Sequence, residues 1–255
     1  MKHIQTAERN SGLEAADNVI HHRHMIAYKE AAERISGDVL EIGSGGGYGL
    51  KLLAPLAKTY YAFDKHPTPI DPGLKNVVFH QAVIPPLEGM EDNSVDFIVT
   101  FQVIEHIKKD RFFLEEAKRV LKPGGMLILT TPNKKMSLTR NPWHIREYTP
   151  EKMKQLMLSV FPNAEILGVF GNNKVMLYHE ENRRSIRKIT RFDVFRFQYW
   201  LPRWILRIPY DLANRKNRNS LHKEHSGLVS GVVTEDFSIG TVNDRCLDFF
   251  CIAHK

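Results

Sequence analysis

Val39-Leu40-Glu41-Ile42-Gly43-Ser44-Gly45-Gly46-Gly47-Tyr48-Gly49 is the stretch on which the fold turns. Residues 39–42 form a short apolar run that ends in a glycine cluster, the pattern of a buried strand entering a tight loop. Two phosphate-binding readings of that loop fail on single residues. A P-loop needs Gly-Lys-Ser/Thr after four spacer residues, and no such Lys stands here. The dinucleotide fingerprint G-x-G-x-x-G, started at Gly43, needs Gly or Ala where Tyr48 stands. Glu41 adds a charge argument, because a carboxylate at a strand tip repels phosphate and attracts an ammonium group. The loop therefore implies a ligand that is cationic near Glu41 and that the backbone must approach closely, hence the glycines.

On the N-terminal side of this stretch, Ala15 to Ile35 reads as a helix. On its C-terminal side, Leu50 to Ala57 reads as a helix whose end Pro55 marks. Tyr60 to Asp64, Val77 to His80 and Val95 to Phe101 read as the second, third and fourth strands. Asp110 to Leu121 is an amphipathic helix stopped by Lys122-Pro123-Gly124-Gly125, and Met126 to Thr131 is a fifth strand. Thr149-Pro150-Glu151 starts a further helix: Thr caps, Pro fits the first turn and Glu favours the dipole. Glu165 to Phe170 and Lys174 to Tyr178 read as strands, and Cys246 to His254 as the last one. Strands alternating with helices predict an α/β fold with a largely parallel sheet covered on both faces. Residues 182–242 break the alternation and read as an insertion before the last strand, within a single domain over 1–255.

Asp64 ends the second strand, twenty-three residues after Glu41. An acid there can accept hydrogen bonds from both hydroxyls of a ribose. An amino-acid ammonium plus a ribose points to S-adenosylmethionine rather than NAD. Glu41-x-Gly43-x-Gly45-x-Gly47 resembles the first motif of class I S-adenosylmethionine-dependent methyltransferases, and Asp64 resembles their ribose-binding acid. Asp96, Phe101-Gln102-Val103-Ile104-Glu105-His106-Ile107, Arg119-Val120-Leu121-Lys122-Pro123-Gly124-Gly125 and Thr130-Thr131-Pro132-Asn133 resemble the type 11 branch. The resemblance covers about residues 20–180 and the final strand. It implies a Rossmann-like seven-stranded sheet with the last strand antiparallel, ligands at the strand tips, and S-adenosylmethionine as cofactor. The cofactor-binding residues it implies are Glu41, Gly43, Ser44, Gly45, Gly47, Asp64 and Gln102. One departure stands out: the stretch Phe79 to Pro86 lacks the acid that often contacts adenine, so backbone and apolar contacts are expected there.

Methyl transfer is an in-line displacement at a methyl the cofactor has already activated, so the protein mainly aligns the nucleophile and excludes water. An oxygen nucleophile of high pKa needs a base, and histidine is the natural one. His144, in Asn141-Pro142-Trp143-His144-Ile145-Arg146-Glu147-Tyr148, follows the fifth strand, where the family builds its substrate-facing loop; it is the first catalytic candidate and His106 the second. His21, His22, Arg23, His24 and Tyr28 could cover the cofactor. Adjacent histidines point to different helix faces, so no metal site is expected there, nor elsewhere in the chain. Cys246 and Cys251 form no CxxC pair and read as core thiols.

Charge is uneven. From Arg183 to Lys223 there are twelve Lys or Arg against two acids, so this segment carries +10 of a chain whose net charge is +7. The remainder is mildly acidic, which argues against reading the whole chain as a nucleic-acid binder. Residues 192–212 read FDVFRFQYWLPRWILRIPYDL. Arg196, Arg203 and Arg207 share a helical face opposite Leu201, Ile205 and Leu212, although Pro202 and Pro209 are expected to divide the region into two short segments. Trp200, Trp204 and Tyr210 suit a membrane interface, and Arg215, Lys216 and Arg218 would attract anionic headgroups. Residues 192–218 thus read either as a helical cap, on the sheet or on a second subunit of a homodimer, or as a peripheral membrane surface. Stacking on RNA bases is the weaker third reading. Asn141-Pro142-Trp143-His144 and the basic insertion resemble bacterial methyltransferases of glycan and lipid-carrier biosynthesis. The expected activity is O-methylation of a small molecule or a lipid-linked saccharide. RNA or protein methylation is the same-class alternative, and a non-catalytic cofactor-binding protein that recruits a partner is the other. The start, MKHIQTAERN, has no apolar signal region, and no run of about 18 uncharged apolar residues exists, so a cytoplasmic protein is expected, peripheral at most to a membrane.

Overall fold

A computed structural model describes residues 14–191 and 197–255. In chain order its main elements are α1 (Asn18–Ala32), β1 (Asp38–Ile42), α2 (Tyr48–Leu53), β2 (Thr59–Asp64), β3 (Val77–Gln81), β4 (Val95–Phe101), α3 (Asp110–Val120), β5 (Leu121–Pro132), α4 (Pro150–Leu158), β6 (Glu165–Gly171), α5 (Asn173–Thr190), α6 (Phe197–Trp200), α7 (Arg203–Glu224), α8 (Ser226–Ser230), β7 (Phe237–Thr241) and β8 (Asp248–His254). The strands form one sheet in the order β3-β2-β1-β4-β5-β8-β6-β7. The first five strands are mutually parallel, and β8 enters antiparallel between β5 and β6.

The order 3-2-1-4-5 reverses direction between β1 and β4, and open parallel sheets bind ligands at the strand tips beside such a reversal. Successive residues of the central strands feed opposite cores, as a sheet buried on both faces requires. Leu40 and Ile42 join Phe63, Phe113 and Met157 on one face. Val39 joins Tyr28, Leu50 and Phe250 on the other. Each such fully buried side chain contributes roughly 1.5–3 kcal/mol relative to exposure. Asp96 accepts the Asp38 N–H at 2.8 Å and the Lys122 ammonium at 2.9 Å, so this motif acid fastens the starts of β1, β4 and β5.

The sheet bears out the α/β reading and the antiparallel last strand, with three corrections. It has eight strands rather than seven, because β7, inside the 182–242 insertion, adds an antiparallel edge to β6. Lys174 to Tyr178 is helix, not strand: the Asn172 side chain accepts the Lys174 and Val175 N–H groups at 3.0 and 3.2 Å and starts α5. Pro209 does not divide the insertion, since α7 runs through it for 22 residues; only Pro202 marks a boundary, at the α7 N-cap. Thr149 caps α4 as expected. Among the described residues no helix is long and apolar enough to cross a membrane.

Candidate active site

The glycine loop is folded back on the tip of β2. The N–H groups of Gly43 and Ser44 both donate to the Phe63 carbonyl, at 2.7 and 3.1 Å. Gly43 (φ +86°) could not be replaced without conflict, because a Cβ there would stand 2.3 Å from Val103 Cγ2. Gly47 (φ +77°) is equally constrained, its Cβ position lying 2.6 Å from the Pro69 carbonyl oxygen. Gly45 differs: the nearest atom to its Cβ position is 3.8 Å away, so the middle of the loop is an open cradle of backbone. Asp64, half-buried at the end of β2, accepts the Gly45 N–H at 2.9 Å and the His66 N–H at 2.8 Å. Cradle and acid are thereby fixed relative to each other.

Two of the expected cofactor residues serve the loop from beneath. Glu41 is 1% exposed, and its two oxygens accept the Tyr28 and Tyr60 hydroxyls at 2.8 and 2.9 Å. The carboxylate expected to meet an ammonium group is held in the core by two tyrosines. Burial pushes its carboxyl up to about 7. Ser44 is 3% exposed, and its hydroxyl is paired with Thr68 at 2.8 Å, tying the loop to the segment after β2. Gln102 follows β4 with φ +58°, rare for a residue with a side chain; its N–H donates to the Thr130 carbonyl at 2.9 Å.

Gln102 also borders a cavity of about 460 Å³. Its floor is the tips of β4 and β5, with Gln102, Glu105 and Pro132. α1 contributes Arg23 and His24, and α5 and α7 form the roof with residues such as His179, Leu206, Pro209 and Tyr210. Burial pushes His24 and His179 down to about 4, so both are neutral at neutral pH. Arg23 is paired with the buried Asp248.

The wall nearest Gln102 is built from two segments. Glu105 and His106 lie on a 3-10 turn, and Asn141, His144 and Glu147 on the loop before α4. The loop is pinned to the turn by the Ile145 and Arg146 N–H groups, which donate to the Glu105 carbonyl at 2.7 and 3.2 Å. His144 Nδ1 is 2.7 Å from Glu147 Oε1, and its Nε2 is 2.8 Å from the Asn141 amide. His106 Nδ1 is 3.1 Å from the Trp143 carbonyl oxygen, and the two imidazoles meet edge to face with centroids 5.0 Å apart. The structure thus brings both histidines singled out in the sequence to one place. It adds Glu105, 1% exposed, whose Oε2 accepts the Thr131 hydroxyl at 2.9 Å. Nothing in the spacing of residues 105 and 144 signals that meeting.

Four arginines hold the insertion down, among them Arg215 and Arg218, which the sequence offers to anionic headgroups. Arg203 donates to the Ile145 carbonyl at 2.6 Å. Arg207 lies 4.4 Å over the Trp143 ring, and Arg218 pairs with Asp17 at 2.9 Å. Arg215 pairs with Glu14 and Asp17. Arg196 falls outside the described residues. On α7 the apolar Trp204, Ile208 and Leu212 are 72%, 72% and 68% exposed, alongside the exposed Arg207, Lys216, Lys223 and Glu224. Cys246 and Cys251 are buried free thiols, both pushed up by burial, as expected of core residues.

Comparison with known proteins gives a consistent result. Residues 40–129 match the type 11 family model described as "Methyltransferase domain". A "probable S-adenosylmethionine-dependent methyltransferase" of Mycolicibacterium smegmatis is 34% identical over 178 residues, covering 65% of this chain and 68% of that relative. A similarly described protein of Mycobacterium tuberculosis is 33% identical, over 65% of this chain and 64% of that one. The solved structure of an S-adenosylmethionine-dependent methyltransferase from Thermotoga maritima has a TM-score of 0.51 at 16% identity and covers 92% of this chain and 91% of its own, a likeness of fold.

Proposed function

The chain belongs to the S-adenosylmethionine-dependent methyltransferases, and we propose on that footing that it methylates an oxygen of a small molecule or a lipid-linked saccharide held in the cavity beside Gln102. The observation that carries this reading is the junction at Gln102. On one side the open cradle at Gly45 and the carboxylate of Asp64 suit the cofactor's polar groups. On the other lies a roofed cavity with histidines in its wall. When bound, S-adenosylmethionine supplies a methyl already activated on a sulfonium. Asp64 would receive the ribose hydroxyls, and Gln102 would stand between the cofactor and the cavity it borders. α5 and α7 keep water from the acceptor and hold it in line, the main contributions a protein makes to this displacement. The acceptor's proton leaves toward the wall of Glu105, His106 and His144.

The lipid-linked form of the acceptor is supported by the outside of the roof. α7 lines the cavity with one face and exposes Trp204, Ile208 and Leu212 on another, so a chain anchored in a bilayer would lie against the entrance. The test is transfer of labelled methyl into a cell extract separated into organic, aqueous, RNA and protein fractions. Label is expected in the organic or aqueous fraction, and Asp64→Ala is expected to abolish it. Label in RNA or protein overturns the acceptor class. His144→Ala is expected to lower turnover by roughly 10²–10⁴-fold, the range of a lost proton-transfer group, with cofactor affinity intact. Unchanged turnover at saturating acceptor would remove His144 from the reaction.

A further inference from the structure

We propose that Glu105, His106 and His144 form a binding site for one divalent first-row transition cation, set in the wall of the cavity. One ligating atom from each of the three lies within 4.8 Å of the others, close enough for a single ion to bridge them. Proximity alone is a weak argument. The second observation is independent: among the described residues Glu105 Oε1 is buried with no hydrogen-bond partner, while Oε2 is taken by Thr131. A buried carboxylate oxygen left unsatisfied is costly, and such an atom in a native protein calls for a partner.

The surroundings are those a metal site needs. Metal-binding imidazoles hand one ring nitrogen to an outer acceptor, which fixes the ring and directs the other nitrogen at the ion. Here His144 Nδ1 is on the Glu147 carboxylate and His106 Nδ1 is on the Trp143 carbonyl. Both rings are thereby oriented by acceptors on the same loop. The Asn141 amide now on His144 Nε2 would swing aside when the ion enters. Two imidazoles and one carboxylate suit zinc, cobalt, manganese or iron(II) better than calcium or magnesium, which favour all-oxygen sites. Three protein ligands leave coordination positions open, and Glu105 and His144 border the cavity. A cation there would act as a Lewis acid toward an acceptor oxygen, and with His144 then a ligand the acceptor's proton would leave to bulk solvent rather than to that imidazole. That last role rests on the methyltransferase reading above, whereas the cation site itself does not.

The test uses the full chain, treated with chelator and titrated with Co²⁺ alone, followed by its visible absorption and by metal analysis after dialysis. One Co²⁺ per chain is expected. Glu105→Gln and His106→Asn are each expected to weaken binding by at least about 100-fold. Glu147→Gln, which touches only the outer acceptor, is expected to weaken it by about 10–100-fold. His22→Asn, in the separate histidine cluster of α1, is expected to bind as wild type. Glu147→Gln and His106→Asn carry the test should Glu105→Gln fail to fold. Absence of stoichiometric Co²⁺ binding, or wild-type titration by both Glu105→Gln and His106→Asn, overturns the site. Labelled-methyl transfer is measured separately. Transfer without Co²⁺ binding overturns the cation site alone, and Co²⁺ binding without transfer to any acceptor fraction overturns the acceptor reading alone.

Discussion

Glu41 stands at the tip of β1 with its charge withdrawn from water and both oxygens on tyrosine hydroxyls. Burial raises its carboxyl to about 7, the Tyr28 and Tyr60 hydroxyls oppose the rise, and the Asp64 charge adds to it. Its ordinary value is 4.5, so between there and about 7 the folded chain holds more protons than the unfolded one. The sign follows: this contribution to stability is complete below about 4.5, is lost as pH rises to about 7, and stays lost above. At about 1.4 kcal/mol per pH unit, the full swing is about 3 kcal/mol. Glu41→Gln is therefore expected to flatten the pH dependence of urea unfolding between pH 5 and 7 and to be the more stable form at pH 8; a wild-type slope in the variant would refute this. Gly43 makes a steric counterpart. An Ala there carries a left-handed backbone cost of about 1–2 kcal/mol and an overpacking cost of about 1–3 kcal/mol against Val103. Urea midpoints are expected to fall accordingly in Gly43→Ala, with Val103→Ala recovering the overpacking share and not the backbone share. The sequence declared the identity and spacing of these residues plainly. It did not declare that Tyr28, from the preceding helix, would reach Glu41 and take it out of the cleft.

At the level of elements, most strands were legible because a parallel sheet buried on both faces demands short apolar runs between turn signals, and those runs are conspicuous. The failures share a cause. Val175 to Tyr178 is an apolar run too short for periodicity to separate strand from helix, and the Asn172 cap that settles it is a local signal outweighed by that run. α7 tolerates Pro209 because its arginines fasten it along its length, so tertiary contacts override a proline that costs about 3 kcal/mol in isolation. Those same contacts change what α7 offers a membrane. With Arg203, Arg215 and Arg218 engaged at Ile145, Glu14 and Asp17, the exposed Trp204, Ile208 and Leu212 are expected to be its main membrane contacts, with Arg207 and Lys216 exposed beside them. The triple substitution Trp204→Ser, Ile208→Ser, Leu212→Ser is expected to leave the melting temperature within about 2 °C, since exposed side chains contribute little. It is expected to abolish co-sedimentation with liposomes, and the residual binding of wild type is expected to depend weakly on salt. Binding that collapses in salt and survives the triple change would restore the headgroup reading of the arginines.

Across the whole molecule, the cofactor side and the acceptor side are built by different means. The proposed cofactor side comes from contiguous motifs at the tips of neighbouring strands, which is why a linear reading can name Asp64, Gly45 and Gln102 as its candidates. The acceptor side is assembled from α1, the 105–106 turn, the 141–147 loop and the insertion, segments whose meeting no spacing rule encodes. Asp17 is where that assembly is joined. It is 1% exposed at the start of α1 and receives Arg218 at 2.9 Å and Arg215 at 3.2 Å from α7. Removing one partner of a buried ion pair leaves the other uncompensated, at a cost of about 3–5 kcal/mol. Because the pair fastens α7 of the roof to the segment before α1, the damage should divide unevenly between the two ligands. Asp17→Asn is expected to loosen α7 over the cavity, raising the acceptor KM by roughly tenfold or more, while S-adenosylmethionine binds by calorimetry as in wild type. Equal weakening toward both ligands would mean that roof and cradle move as one body, and that the insertion stabilises the cofactor site as well as enclosing the acceptor.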